Sequence, residues 1–106
     1  MDIEILSWHD GILNGYSFNP NYGEENEITI HLSLYPEQIH SSERDSLRIV
    51  CSDIEWFKVD VNMNDLQENK FAGNINYGEV IGSILRIELF GGDLLVKASK
   101  YIVTKC

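Results

Sequence analysis

In Ile28-Thr29-Ile30-His31-Leu32-Ser33-Leu34-Tyr35 the aliphatic residues fall at every second position. Side chains of a strand alternate between its two faces, so this spacing predicts a strand with one face on a core and the other toward solvent. The same period runs through Leu85-Arg86-Ile87-Glu88-Leu89 and again through Leu94, Val96 and Ala98. Between these two runs lies Gly91-Gly92-Asp93, residues that tolerate positive φ. Residues 83–103 therefore predict an antiparallel hairpin.

The rest of the chain follows the same pattern with less regularity. The segments 3–8 and 12–18 flank Asp10-Gly11, a second hairpin-type pair, with Asn14-Gly15 as a competing turning point. Across residues 46–60 the alternation reads Leu47, Ile49, Cys51 and then Phe57, Val59, Val61. It breaks around Ser52-Asp53, which predicts a bulge, a bend or a tight turn between two shorter strands. Residues 64–71 carry the one helical spacing, with Asn62 or Asn64 as a cap, and Asn74 to Tyr77 suggests a further short strand. The expectation is a mainly β chain of about six to eight strands and at most one short helix. One flat antiparallel sheet would leave many of these aliphatic and aromatic side chains in water, which argues for an antiparallel β-sandwich or a curled half-barrel.

Nothing in the sequence divides it. With 106 residues, two prolines and no repeat or low-complexity tract, residues 1–106 are expected to form a single β-rich domain. The opening Met1-Asp2-Ile3-Glu4 has neither a basic region nor a long apolar run, and no stretch approaches the roughly 20 apolar residues of a membrane-spanning helix. A cytoplasmic location is expected. Cys51 and Cys106 form no CxxC pair and no zinc spacing; Cys51 lies in an apolar run and reads as a buried thiol, whereas Cys106, the last residue, reads as frayed.

Charge is the most informative bulk property. The 17 acids against 8 bases leave a net −9, which argues against direct contact with nucleic acid, because neutralising phosphates takes clustered Lys and Arg. The imbalance is confined to one part: residues 1–60 hold twelve acids and three bases, residues 61–106 five of each.

Motifs for catalysis are sparse. No G-x-S-x-G occurs, and neither cysteine has a histidine nearby in sequence. Gly91-Gly92 leads into Asp93 and a strand, where a phosphate site needs a helix N-terminus. His9-Asp10 could pair as base and orienting carboxylate only in a turn, since neighbouring strand residues point to opposite faces; a structural role in that turn is the expected one. His31 alternates with core residues and is expected to face solvent. Asp60, Asn62 and Asn64 imitate the first ligands of a calcium loop, but Asp65 replaces the required Gly and Phe71 the required Glu. No enzyme activity, cofactor or metal is expected.

A binding surface remains. Glu24, Glu25 and Glu27 crowd one loop, where their mutual repulsion costs stability. Asp53, Glu55 and Asp60 form a second acidic group interleaved with Trp56 and Phe57, one of which a regular strand would expose. Acid beside exposed aromatic suits an interface with a basic protein. The candidate partner-binding residues are accordingly Glu24, Glu25, Glu27, Asp53, Glu55, Trp56 and Asp60.

Two elements carry a resemblance: the opening Trp8-His9-Asp10-Gly11 followed by an alternating strand, and the closing hairpin Leu85-x-Ile87-x-Leu89-x-Gly91-Gly92-x-Leu94-x-Val96-x-Ala98. Together they resemble small bacterial β-sandwich immunity proteins of toxin–immunity systems, including contact-dependent growth inhibition. The resemblance implies a toxin inhibitor kept in the cytoplasm of the producing cell, where it binds a cognate toxin domain, often a nuclease, and blocks its active site or its access to a target. Nuclease domains are basic so as to hold nucleic acid, and an acidic protein can occupy that surface as a phosphate mimic. The alternative is a non-enzymatic binding or assembly module, including a homodimer, that uses an exposed sheet edge.

Overall fold

The computed structural model describes residues 2–20, 24, 26–35, 43–62 and 74–106. A single 3-10 turn, Ile3–Ile5, is followed by six strands: β1 (Ile12–Asn19), β2 (Glu27–Leu34), β3 (Asp45–Val61), β4 (Ile75–Ile81), β5 (Ile84–Leu89) and β6 (Gly92–Lys105). They form one all-antiparallel sheet in the order β1-β2-β3-β6-β5-β4. The mainly β expectation holds, at the lower end of its strand count, and no α-helix occurs among the described residues.

Strands β3 and β6 are long because each serves two parts of the sheet. Residues 45–52 of β3 lie between β2 and the later part of β6. Beyond Asp53 the strand leaves β2 and continues on the early part of β6, which carries β5. The inward-facing residues record the bend. In β3 they run Leu47, Ile49, Cys51, then Ile54, then Phe57, Val59 and Val61, two of the steps being three residues instead of two. The register shifts between Ile54 and Trp56, and Asp53 adopts a left-handed φ of 54°. Bulges of this kind sharpen twist and fold a sheet over, here so that the apolar faces of both parts meet in one core. That core is built from the alternating residues: Ile28, Ile30, Leu32 and Leu34 of β2, Leu47, Ile49 and Cys51 of β3, Leu85, Ile87 and Leu89 of β5, and Leu94, Val96 and Ala98 of β6. Each such Leu or Ile contributes about 1.5–3 kcal/mol by leaving water.

At one end the two outer strands are joined. Ile12 bridges Asn74, the Asp10 N–H donates to the Ile75 carbonyl at 3.1 Å, and the Ile75 N–H donates to the Gly11 carbonyl at 2.7 Å. The Trp8 ring plugs this end so closely that a Cβ on Gly78 would overlap it.

These contacts explain why residues 3–8 are not the strand that hairpin logic expects. Gly11 donates to the Trp8 carbonyl at 3.0 Å, which closes a tight turn, and the backbone beyond it pairs with residues 74–75 in place of its own preceding segment. Asp10-Gly11 is thus a turn but not a hairpin. Gly15 marks a register irregularity inside β1 and not a turn. The closing hairpin forms as expected, turning one residue early at Phe90-Gly91, with Leu89 opposite Gly92. Cys106 is not frayed: its N–H donates to the Ser46 carbonyl at 2.9 Å, extending the β3–β6 ladder. The helix expected over residues 64–71 lies outside the described residues.

Candidate partner-binding surface

The bend in β3 and β6 is held by side chains. Ser99 Oγ donates to Asp53 Oδ2 at 2.7 Å, linking the two strands where both change direction. The Tyr101 hydroxyl lies 2.7 Å from the Ser83 carbonyl and 2.9 Å from that of Val96, and it accepts the Ala98 N–H at 3.2 Å. This ties the bend of β6 to the β4–β5 turn. Burial pushes the Tyr101 phenol above its ordinary value, so it remains a donor through the neutral range.

Beside this bend lies an open notch of about 310 Å³, lined by Phe18 from the end of β1, Asn26 before β2, and Ile54, Glu55, Trp56 and Phe57 of β3. It exists because β3 departs from β2 at Asp53. Phe57 points inward, where the Phe18 ring meets it at 5.4 Å and the Tyr16 ring edge-on at 6.5 Å. Tyr16 and Phe18 sit on the core-side face of β1, opposite buried Ile30 and Ile28, yet each is 43% exposed because β1 is an outer strand. Trp56 lies on the opposite face of β3, with the Lys58 ammonium 5.5 Å from its ring centre. Neither Trp56 nor Phe57 is exposed, against the expectation for a regular strand: Phe57 is covered by the β1 aromatics and Trp56 is partly shielded by Lys58.

The structure divides the acidic residues into two groups. Glu24 is exposed, Glu27 is half-buried opposite Ser52, and Asp53 and Glu55 follow along the bend, so these four border the same end of the sheet as the notch. Glu55 is not unopposed, since Lys97 Nζ lies 3.1 Å from its carboxylate. Glu25 is outside the described residues. Asp60 belongs elsewhere. It stands near the other end of β3, directly across from Asp93, which in turn faces Glu88 of β5. Those three, with Asn62 and Arg86, line a second shallow depression of about 290 Å³. Reading along one strand could not find Asp93 and Glu88, whose nearness to Asp60 depends on cross-strand register. Nor does anything short of the bend bring Phe18 and Tyr16 to Phe57.

The remaining candidates fall into structural places. His9 Nε2 is 3.6 Å from Asp10 Oδ2 and its Nδ1 is 3.5 Å from the Asn76 carbonyl, while Arg44 Nε donates to the Asp10 carbonyl at 3.0 Å. Asp10 itself takes a left-handed φ of 64°, so the pair sits in the tight turn. His31 lies on the outer face of β2 between buried Ile30 and Leu32, half-buried itself. Cys51 is enclosed in the core, and burial pushes its thiol up to about 12, which keeps it protonated at neutral pH. Among the described residues no cluster of three or more His, Cys, Asp or Glu side chains could hold a metal ion; Asn64, the third residue of the calcium-like run, lies outside them. No helix of the described residues is long and apolar enough to cross a membrane. Compared with protein-family models, with curated proteins and with solved structures, the chain finds no match.

Proposed function

We propose that this chain is a non-enzymatic binding protein for a basic protein domain and, following the resemblance of its two ends, that the domain belongs to a toxin that the chain neutralises in the cytoplasm of the cell producing both. The observation that carries the reading is the notch at the bend, with Phe18, Glu55, Trp56 and Phe57 in its walls and Glu27 and Asp53 next in sequence to the wall residues Asn26 and Ile54. Aromatic side chains supply contact area at low entropic cost, and carboxylates beside them speed encounter with a positively charged surface. A nuclease domain, which must be basic to hold its substrate, fits that description.

The test begins with the gene immediately upstream, where the reading expects a large secreted protein with a variable C-terminal domain. That domain, co-expressed with this chain, should co-purify with it and lose its toxicity. Its affinity should fall as salt rises from about 50 to about 500 mM. Affinity unchanged over that range, or upstream genes of metabolism only, counts against the reading. Salt-insensitive association of the chain with itself would favour a homo-oligomeric sheet-edge module instead.

A further inference from the structure

Strand β3 changes neighbours at Asp53, and beyond that point one of its backbone edges has no neighbouring strand among the described residues. Asn62 N–H donates to the Gly91 carbonyl at 2.9 Å, which sets the phase of the β3–β6 ladder. In an antiparallel pair hydrogen-bonded and non-hydrogen-bonded positions alternate. The bonded pairs are therefore Asp60 with Asp93, Lys58 with Leu95 and Trp56 with Lys97. Phe57, Val59 and Val61 hold their N–H and C=O groups on the other edge. Strand β2 ends opposite Ser52, and among the described residues no strand lies beyond it along residues 57–61. The notch opens at the start of this edge.

We infer that this edge takes an added antiparallel strand from the partner: an extended segment alternating apolar residues with Lys or Arg. The inference rests on the proposed function and names how the contact is made. Apolar side chains of the segment would continue the inward row of Phe57, Val59 and Val61, beginning against Phe18. Its basic side chains would lie on the outer face with Glu55 and Asp60, the face that Lys58, over the Trp56 ring, and Lys97, paired with Glu55, already share. Charge selects this occupant over a second copy of the chain, because two molecules of net −9, each with its acidic excess in residues 1–60, repel. An unpaired edge supplies main-chain bonds for affinity, and the alternating faces supply selectivity.

The experiment uses the full chain, labelled for NMR, and a capped seven-residue peptide alternating Lys and Val. The N–H signals of Phe57 and Val59 should move on titration more than those of Trp56 and Lys58, whose bonds go to β6. Methylating one alternate set of peptide amides should abolish these shifts, and methylating the other set should leave them. Val59→Pro removes one edge donor without breaking a β3–β6 bond and should weaken binding at least tenfold. Signals that stay still, equal effects of both methylated peptides, equal binding of a Glu–Val peptide, or shifts of the same amides on concentrating the chain alone would each overturn the inference. Capture of a toxin domain with the Phe57 and Val59 signals unmoved would refute strand addition and leave the proposed function standing. Edge binding with no toxin domain captured would do the reverse.

Discussion

The Phe18 ring at the end of β1 lies 5.4 Å from the Phe57 ring of β3, tilted by 44°, although the two strands are not hydrogen-bonded neighbours. This contact joins an outer strand to the part of the sheet that the bend folds toward it. Phe18→Ala should lower stability by about 1–2 kcal/mol, less than a fully buried Phe would, because Phe18 is partly in water already. Urea denaturation of the single variants and of the double variant with Phe57→Ala should give a coupling of about 0.5–1.5 kcal/mol. Zero coupling would mean that each ring packs independently and the notch has no fixed wall.

A second prediction concerns the joined end of the sheet. A Cβ on Gly78 would overlap the Trp8 ring, so Gly78→Ala should cost about 1–3 kcal/mol through overpacking. Trp8→Ala should cost about 3–5 kcal/mol through the cavity it leaves. In the double variant the new methyl group enters that cavity, and its loss should be smaller than the sum of the two. Additive losses would show that Trp8 and Gly78 do not share space.

Where period-two spacing was unbroken, the elements were legible: β2, β5 and the first part of β6 face the core with the residues their alternation named. The interruption at Ser52-Asp53 was legible too, as one of three outcomes; the structure selects a bulge within a single 17-residue strand. Gly82-Ser83, which turns β4 into β5 with Gly82 at φ 62°, went unread, though Gly-Ser between two Ile residues is a hairpin signal. Strand order was out of reach, because it depends on pairings between distant residues. The site suffered most from this. Asp60 is close to Asp53 in sequence, but a strand rises about 3.3 Å per residue, so seven residues of extended chain carry it roughly 20 Å away.

Alkaline stability should depend on Cys51. Its folded-state thiol is raised from 9.0 to about 12 by burial. A raised value means that the native state holds the proton while the unfolded chain releases it. The stabilisation is therefore complete below about pH 9 and is lost as pH rises from 9 toward 12, at up to about 1.4 kcal/mol per pH unit. Cys51→Ala should be less stable at pH 7, because it leaves a small cavity, yet should show a shallower decline above pH 9. Parallel stability curves for the two proteins in that window would show that Cys51 ionises as readily folded as unfolded.

The bend itself can be tested at Asp53, which combines a left-handed backbone with a 2.7 Å bond from Ser99. Asp and Asn tolerate that conformation better than other side-chain-bearing residues, and glycine adopts it without steric cost. Asp53→Asn keeps both the backbone preference and an acceptor for Ser99, so its stability should stay within about 0.5 kcal/mol of the parent. Asp53→Gly loses only the bond and should cost about 1 kcal/mol. Asp53→Ala loses the bond and strains the backbone, and should cost about 2 kcal/mol. Because residues 56–61 are aimed away from β2 by this bend, the same order should appear in amide exchange at Trp56 and Lys58, whose N–H groups bond to β6, fastest in the Ala variant. If Ala instead matches Asn in both measurements, β3 bends without help from residue 53, and its inward row of Phe57, Val59 and Val61 alone draws the strand across the core.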